Sequence, residues 1–228
     1  MTFSIVARMA VPGSALMQFG VAMASSSPAV AARCAHARSG AGAVATQNIT
    51  DPALGPRMLT EMADGADAHS ALLAALHSTP YGEYRQLLAI GQDGPPAGHT
   101  GGRALGTNAI ALGTDAAAAG NLLAQPGVPA IMLEAFGKAE GSLAQRLLHA
   151  LSAGQRAGGE AGPVHSAGLL VVHHVAWPIV DLRIDWDERD PVGALERLYA
   201  IYEPQIGAYV DRAINPTRAP SYGVPGDP

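Results

Sequence analysis

At 228 residues the chain has the length of one sizeable domain, which can bury a core without disulfides or structural metals. Its net charge of −5, with basic residues scattered along the chain, excludes a general binder of phosphate backbones, so no nucleic-acid partner is expected. The single cysteine, Cys34, excludes an internal disulfide and fits a reducing, cytoplasmic setting.

The chain opens MTFSIVAR, an alternating pattern that predicts a strand over residues 2–8, and a second strand follows at 18–24 after the Pro/Gly turn VPGSAL. Residues 9–24 end in a small-residue pattern resembling a leader cleavage site. Pro12, Gly13, Ser14 and Gln18 interrupt the apolar stretch, and two strands joined by a turn are the expected reading. No apolar run reaches the roughly 18 residues of a membrane span, so no membrane partner is expected.

Residues 28–38 read as a short helix with Ser27 as its N-cap, and 40–47 as a small-residue strand. Helices are predicted at 54–64 and 67–78, the second capped by Asp67 with Leu72, Leu73 and Leu76 at helical spacing. EYRQLLAIG and a strand reaching His99 form a hairpin signal, and 107–112 with 115–120 form another strand pair. Helices follow at 127–137 and 141–154, the second carrying Leu143, Leu147, Leu148 and Leu151 on one face. HSAGLLVVHHV and PIVDLRIDW are the strongest strands; a last helix is predicted over 191–212, then an extended Pro-rich tail over 213–228. Blocks of strands alternate with pairs of helices. This order suits a single α+β domain with antiparallel sheets, not βαβ alternation.

Most local motifs favour structural readings. Gly40-Ala-Gly42-Ala-Val-Ala45 matches G-x-G-x-x-A, yet it follows a predicted helix and enters a turn, so close packing is expected there. Val164-His165-Ser166-Ala167-Gly168 approaches a nucleophile elbow, but its serine runs straight into strand and cannot sit at an elbow tip. His173 and His174 would point to opposite faces of a strand, and His69, His77 and His149 lie on exposed helix faces, so no metal site is expected. Asp181 and Arg183 share a strand face as an ion pair or a carboxylate clamp. Asn121 ends a run of small residues, where its amide would cap a turn or face an oxyanion.

Thr2 carries the distinctive chemistry. Initiator methionine is removed before small residues, and threonine is small. Removal would leave a hydroxyl and an α-amine on one residue, and an N-terminal amine can serve as the base that activates such a hydroxyl.

MTFSIVAR, the segment GVAMASSSPAVAARCAHARSGAGAVATQNITDPALGPR, HTGGRALG, AGNLLA, GPVHSAGLLVV and VDLRIDW together resemble a prokaryotic family, domain-of-unknown-function family 1028, placed in the Ntn-hydrolase superfamily of N-terminal-nucleophile amidohydrolases. The resemblance spans nearly the whole chain. It departs in the longer, more apolar MAVPGSALMQFG turn and in the proline-bearing QDGPPAG hairpin.

The resemblance implies a four-layer αββα sandwich and hydrolysis of a small amide, imide or N-acyl compound, with no cofactor. Thr2 would be the nucleophile. Asn121, His165 or backbone N–H groups at 45–48 would stabilise the oxyanion. Arg33, Gln47, Asn48, His99, Ser166 and Arg183 are the candidate substrate-binding residues. Alternatives on the same fold are a non-catalytic small-molecule-binding or assembly protein, and ring opening or closure of a cyclic amide without an N-terminal nucleophile. The Pro-rich tail points to a homo-oligomer.

Overall fold

The computed structural model describes residues 1–221 and 223. The chain begins with β1 (Thr2–Met9), β2 (Gln18–Ser25), α1 (Val30–Cys34), β3 (Ala35–Arg38), β4 (Gly42–Gln47), α2 (Leu54–Ala63) and α3 (Ala68–His77). There follow β5 (Gln86–Gly91), β6 (Ala97–Thr100), β7 (Ala109–Leu112), β8 (Ala116–Asn121), α4 (Val128–Lys138) and α5 (Leu143–Arg156). The last elements are β9 (Ser166–Val172), β10 (Val180–Ile184), α6 (Pro191–Tyr202) and α7 (Ile206–Ile214). The strands form two antiparallel sheets, a six-stranded one ordered β10-β9-β2-β1-β8-β7 and a four-stranded one ordered β3-β4-β5-β6.

Strand β1 is central and buried on both faces, so its alternation sorts two interiors. Phe3, Ile5 and Ala7 pack with Met132, Leu143, Leu147 and Leu151 of α4 and α5. On the opposite face Val6 joins Ala117, Ala119, Ala43, Ala45, Leu88 and Ile90 in a core drawn from both sheets. Ser4 points the same way and donates to Gln47 Oε1 at 2.6 Å, linking β1 to β4. On the far side of the smaller sheet, Val44, Leu87 and Ala89 pack against Met58, Leu59, Met62 and Leu72 of α2 and α3.

Local signals work at the helix ends. Asp67 accepts from Ser70 N at 2.6 Å and caps α3. At α5, Ser142 Oγ accepts from Gln145 N while Gln145 Oε1 accepts from Ser142 N at 2.8 Å, a reciprocal capping box. Gly42 confirms the close-packing reading of the glycine run: a Cβ there would stand 2.2 Å from the Ile90 carbonyl oxygen.

The helix predicted over 28–38 is shortened to the five residues of α1. Ala35–Arg38 instead pairs with β4, from Ala35↔Ala45 to Arg38↔Gly42, because ladder bonds and burial outweigh the helix propensity of alanine. Ser27 does not cap α1, whose first flanking residue is Ala29 with no side-chain cap. The helix predicted over 191–212 breaks into α6 and α7 through a 3₁₀ turn at Glu203–Gln205, where Pro204 has no N–H to donate. Strand β9 ends at Val172, so His173 and His174 are not alternate strand residues; their Nδ1 atoms lie 2.9 Å apart. The tail is not extended from 213 onward: α7 continues to Ile214, Pro216–Arg218 is a 3₁₀ turn, and Arg212 Nη2 donates to the Pro220 carbonyl at 2.9 Å. Residues 222 and 224–228 of the predicted tail lie outside the described residues. Among the described residues no helix is long and apolar enough to cross a membrane.

Candidate functional site

Four strand ends meet at one place: the first residue of β1, the last of β2, the last of β8 and the residue following β4. A cavity of about 270 Å³ opens there, lined by Met1, Thr2, Ser25, Arg33, Asn48 and Asn121, with Cys34, Thr50 and Leu105 among its other walls. A larger cleft of about 560 Å³ runs beside α2 and α3 past Asp51, Arg57, Glu61 and Tyr81, but it contains none of the residues singled out from the sequence. The backbone also marks the smaller cavity. Among the described residues the non-glycine positions with positive φ are Ala29, Asn48 and Leu122. Asn48 lines the cavity, Ala29 precedes its lining residue Val30, and Leu122 follows Asn121. Left-handed backbone at such residues costs energy and persists where surrounding structure enforces it.

Thr2 is opposite Asn121 in the β1–β8 ladder, and Phe3 is opposite Ala24 in the β1–β2 ladder. Thr2 Oγ1 lies 3.3 Å from Ser25 Oγ, and both hydroxyls reach the Met1 carbonyl oxygen. Burial leaves Thr2 only 6% exposed, and Ser25 is fully buried. Ser25 Oγ also accepts from Ser27 N at 3.1 Å, which aims its own proton toward residue 1.

A chain of amides behind the cavity sets the orientation of Asn121. Gln86 Nε2 donates to the Gly120 carbonyl at 3.0 Å, an acceptor with no alternative role, so Gln86 must present Oε1 on its other side. That oxygen accepts from Gln47 Nε2 at 2.7 Å and from Asn121 Nδ2 at 3.2 Å. One N–H of Asn121 Nδ2 is thereby engaged, and its Oδ1 is buried without a hydrogen-bond partner. Asn121 therefore offers the cavity an acceptor. A developing oxyanion needs a donor, which at Asn121 would be the second N–H of Nδ2. Gln47 belongs to the supporting network and is not a wall of the cavity.

Arg33 lines the cavity and donates from Nη1 to the Pro28 carbonyl at 2.9 Å and the Ala29 carbonyl at 3.2 Å. Asn48 donates from Nδ2 to the Tyr84 carbonyl at 2.6 Å and accepts from Leu105 N at 3.2 Å, fastening the loop that supplies Leu105. The remaining candidates do not line this cavity. His165 stacks on Trp186 with ring centroids 4.3 Å apart, and its Nδ1 lies 3.3 Å from the Asp187 carbonyl. Ser166 donates to the Ser27 carbonyl at 2.6 Å and accepts from Val30 N at 3.2 Å, so it shapes the entry to α1. His99 Nε2 meets the Gly82 carbonyl at 3.1 Å. Arg183 closes a two-point ion pair with Asp181, at 2.8 and 2.9 Å, which is the structural reading of VDLRID.

Three residues near the site were not among the candidates drawn from the sequence. Ser25 was one of three consecutive serines with nothing to distinguish it. Cys34 forms part of the wall, where burial pushes its thiol above the ordinary value and favours the less reactive protonated form. Glu160, 4% exposed, accepts from Ser26 N at 2.8 Å through Oε1, while Oε2 is buried without a partner. Burial pushes its carboxyl up to about 7, opposed first by the positive α-amine of Met1. A lone carboxylate in the Gly-rich stretch AGGEAG was the only sequence signal it gave.

No cluster of three or more metal-ligating side chains occurs among the described residues. No functionally curated protein matches the chain. A crystal structure of a protein from Silicibacter pomeroyi, described by the same family model, is similar over 92% of each chain, with 31% identity and a TM-score of 0.81. The profile described as "Family of unknown function (DUF1028)" matches residues 2–195. With that match over most of its length, this chain belongs to the family of unknown function DUF1028.

Proposed function

We propose that this chain is an N-terminal-nucleophile amidohydrolase that cleaves a small amide, imide or N-acyl compound, with Thr2 as nucleophile after removal of Met1. The observation that carries the reading is the placement of the Thr2 hydroxyl and the Met1–Thr2 peptide in the wall of a polar cavity, beside Ser25 and Asn121. The packing of helices outside two facing antiparallel sheets supports a four-layer Ntn-type αββα sandwich. A cytoplasmic homo-oligomer that needs no cofactor belongs to the same reading.

In this reaction the freed α-amine takes the Thr2 Oγ1 proton as the oxygen bonds to the substrate carbonyl carbon. The amine then passes that proton to the leaving nitrogen as the C–N bond breaks. Water repeats the attack on the resulting ester and regenerates the hydroxyl. Ser25 Oγ, released from the Met1 carbonyl, is placed to donate to the oxyanion. Asn121 Oδ1 is placed to accept a substrate N–H. Arg33 supplies positive charge for a substrate carboxylate. A cavity of about 270 Å³ suits a small substrate.

The test pairs intact-protein mass spectrometry with assay of a panel of small amides and N-acyl compounds by wild type and Thr2→Ala. Hydrolysis by protein lacking Met1, abolished in Thr2→Ala, is expected. Full activity with Met1 intact overturns the mechanism. A binding protein on the same fold is the second reading, favoured by the Met1 carbonyl that now engages both hydroxyls. Retained Met1 with a ligand bound unchanged would establish it.

A further inference from the structure

The segment carrying Glu160 runs alongside the first residues of the chain. It pairs with the continuation of β8: Ala124 N donates to the Gly159 carbonyl at 3.0 Å and Ala161 N to the Leu122 carbonyl at 2.9 Å. This pairing begins one residue after Asn121, the partner of Thr2. On its other side the segment flanks the N-terminus. A Cβ on Gly159 would stand 3.1 Å from the Phe3 ring, and one on Gly162 would stand 3.3 Å from the Met1 side chain. Glu160 lies between these two contacts, and its carboxylate is bonded to Ser26, the neighbour of Ser25.

A carboxylate so placed is costly unless something answers its second oxygen. Leu122, Leu123 and Ala124 present no ionisable group to it, nor do Ser25, Ser26 and Ser27. From residues 1–3 the only ionisable group is the α-amine, which Met1 carries here outside ion-pair distance of Glu160 and which Thr2 would carry once Met1 is removed. Arg33 and Cys34 are the other titratable groups in the cavity wall, and burial holds the Cys34 thiol above its ordinary value, a rise that the same amine opposes only slightly.

We propose that, once Met1 is removed, Glu160 is a positioning residue that shares one proton with the new α-amine of Thr2 and holds that amine beside Thr2 Oγ1. The inference rests on the N-terminal-nucleophile reading for its catalytic meaning. In the shared state the ammonium proton passes to Oε2 of Glu160, leaving the nitrogen lone pair free to take the Thr2 proton. A carboxyl near neutrality suits this exchange, because proton transfer is efficient between groups of matched acidity. Two such groups titrate together in two steps that belong to the pair.

The test exploits composition. Lys138 is the only lysine, so reductive ¹³C-methylation of the full-length protein labels two sites, the α-amine and Lys138. Lys138, exposed and paired with Glu134 at 2.5 Å, is the internal reference. In wild-type protein lacking Met1 the Thr2 α-amine resonance is expected to show two inflections with pH. Glu160→Gln keeps an oxygen for Ser26 N, and it should leave one inflection, with the amine midpoint lower by about 1 pH unit. Glu160→Asp should restore two. An unmoved midpoint in folded Glu160→Gln overturns the proposal. Should that variant not fold, a single wild-type inflection in the ordinary α-amine range of about 7.7–8.0 overturns it equally, and two inflections support it. The readout needs no substrate. A shifted midpoint without any amide hydrolysis sinks the reaction and leaves the proton sharing standing, whereas hydrolysis with an unmoved midpoint does the reverse.

Discussion

Asn121 Nδ2 donates to Gln86 Oε1 at 3.2 Å, and this one bond turns the asparagine's unpartnered oxygen away from Gln86. The bond is in turn fixed by Gln86 Nε2 on the Gly120 carbonyl, so a backbone acceptor of β8 ultimately sets the polarity that Asn121 presents. A donor role for Asn121 would fall to the second N–H of its Nδ2, the first being held by Gln86 Oε1.

Removing the hub of that chain should be expensive. Gln86→Leu leaves the Gln47 and Asn121 N–H groups and the Gly120 carbonyl without their partner in a buried place. A loss of about 2–4 kcal/mol is expected in urea unfolding. A loss within experimental error would mean that the network does not orient Asn121.

At position 2 the hydroxyl should matter far more for reaction than for folding. Thr2→Ala is expected to lower amide hydrolysis by at least ~10³-fold while changing stability by no more than about 1 kcal/mol. Thr2→Ser keeps a hydroxyl and should retain measurable turnover. Comparing kcat for the three proteins against their unfolding midpoints separates the two effects.

Glu160 makes stability pH-dependent in a definite direction. Its carboxyl ionises at about 7 in the folded chain against an ordinary 4.5, so between those values the folded state binds more protons than the unfolded state. Stability from this group is fully present below 4.5 and is lost as pH rises through about 7. The decline should be about 3 kcal/mol, and Glu160→Gln should flatten it. Denaturant titrations across this pH range, wild type against variant, give the comparison directly; parallel curves would contradict the assignment.

Gly42 offers a packing control remote from the chemistry. Gly42→Ala drives a methyl to 2.2 Å from the Ile90 carbonyl oxygen, with Met62 also in the way. A cost of about 2–3 kcal/mol is expected from thermal or urea unfolding. An unchanged midpoint would show that β4 can move away from β5.

Much of the framework was present in the residue order. Alternation from Phe3 to Arg8, leucines at helical spacing in α5 and the cap at Asp67 are local signals, and each element formed where its signal stood. Thr2 was legible as a candidate because removal of Met1 would put a hydroxyl and an α-amine on one residue, and Asn121 because it ends a run of small residues where its amide could face a site. Local propensity was insufficient at Ala35–Arg38, where an alanine-bearing segment joined a ladder whose partner lies across a glycine turn.

Tertiary structure decided what faces what. Only the β1–β8 register sets Thr2 against Asn121, and only the inter-sheet amide chain determines which end of Asn121 meets the cavity. The same folding carried His99, His165 and Arg183 to partners of their own, and brought Glu160 from a remote loop to the side of residue 1. Secondary structure follows from the periodicity of neighbouring side chains, which a sequence displays. The amide polarity arises between residues 34 to 43 positions apart and the setting of Glu160 between residues more than 100 apart, and the sequence carries no local trace of either.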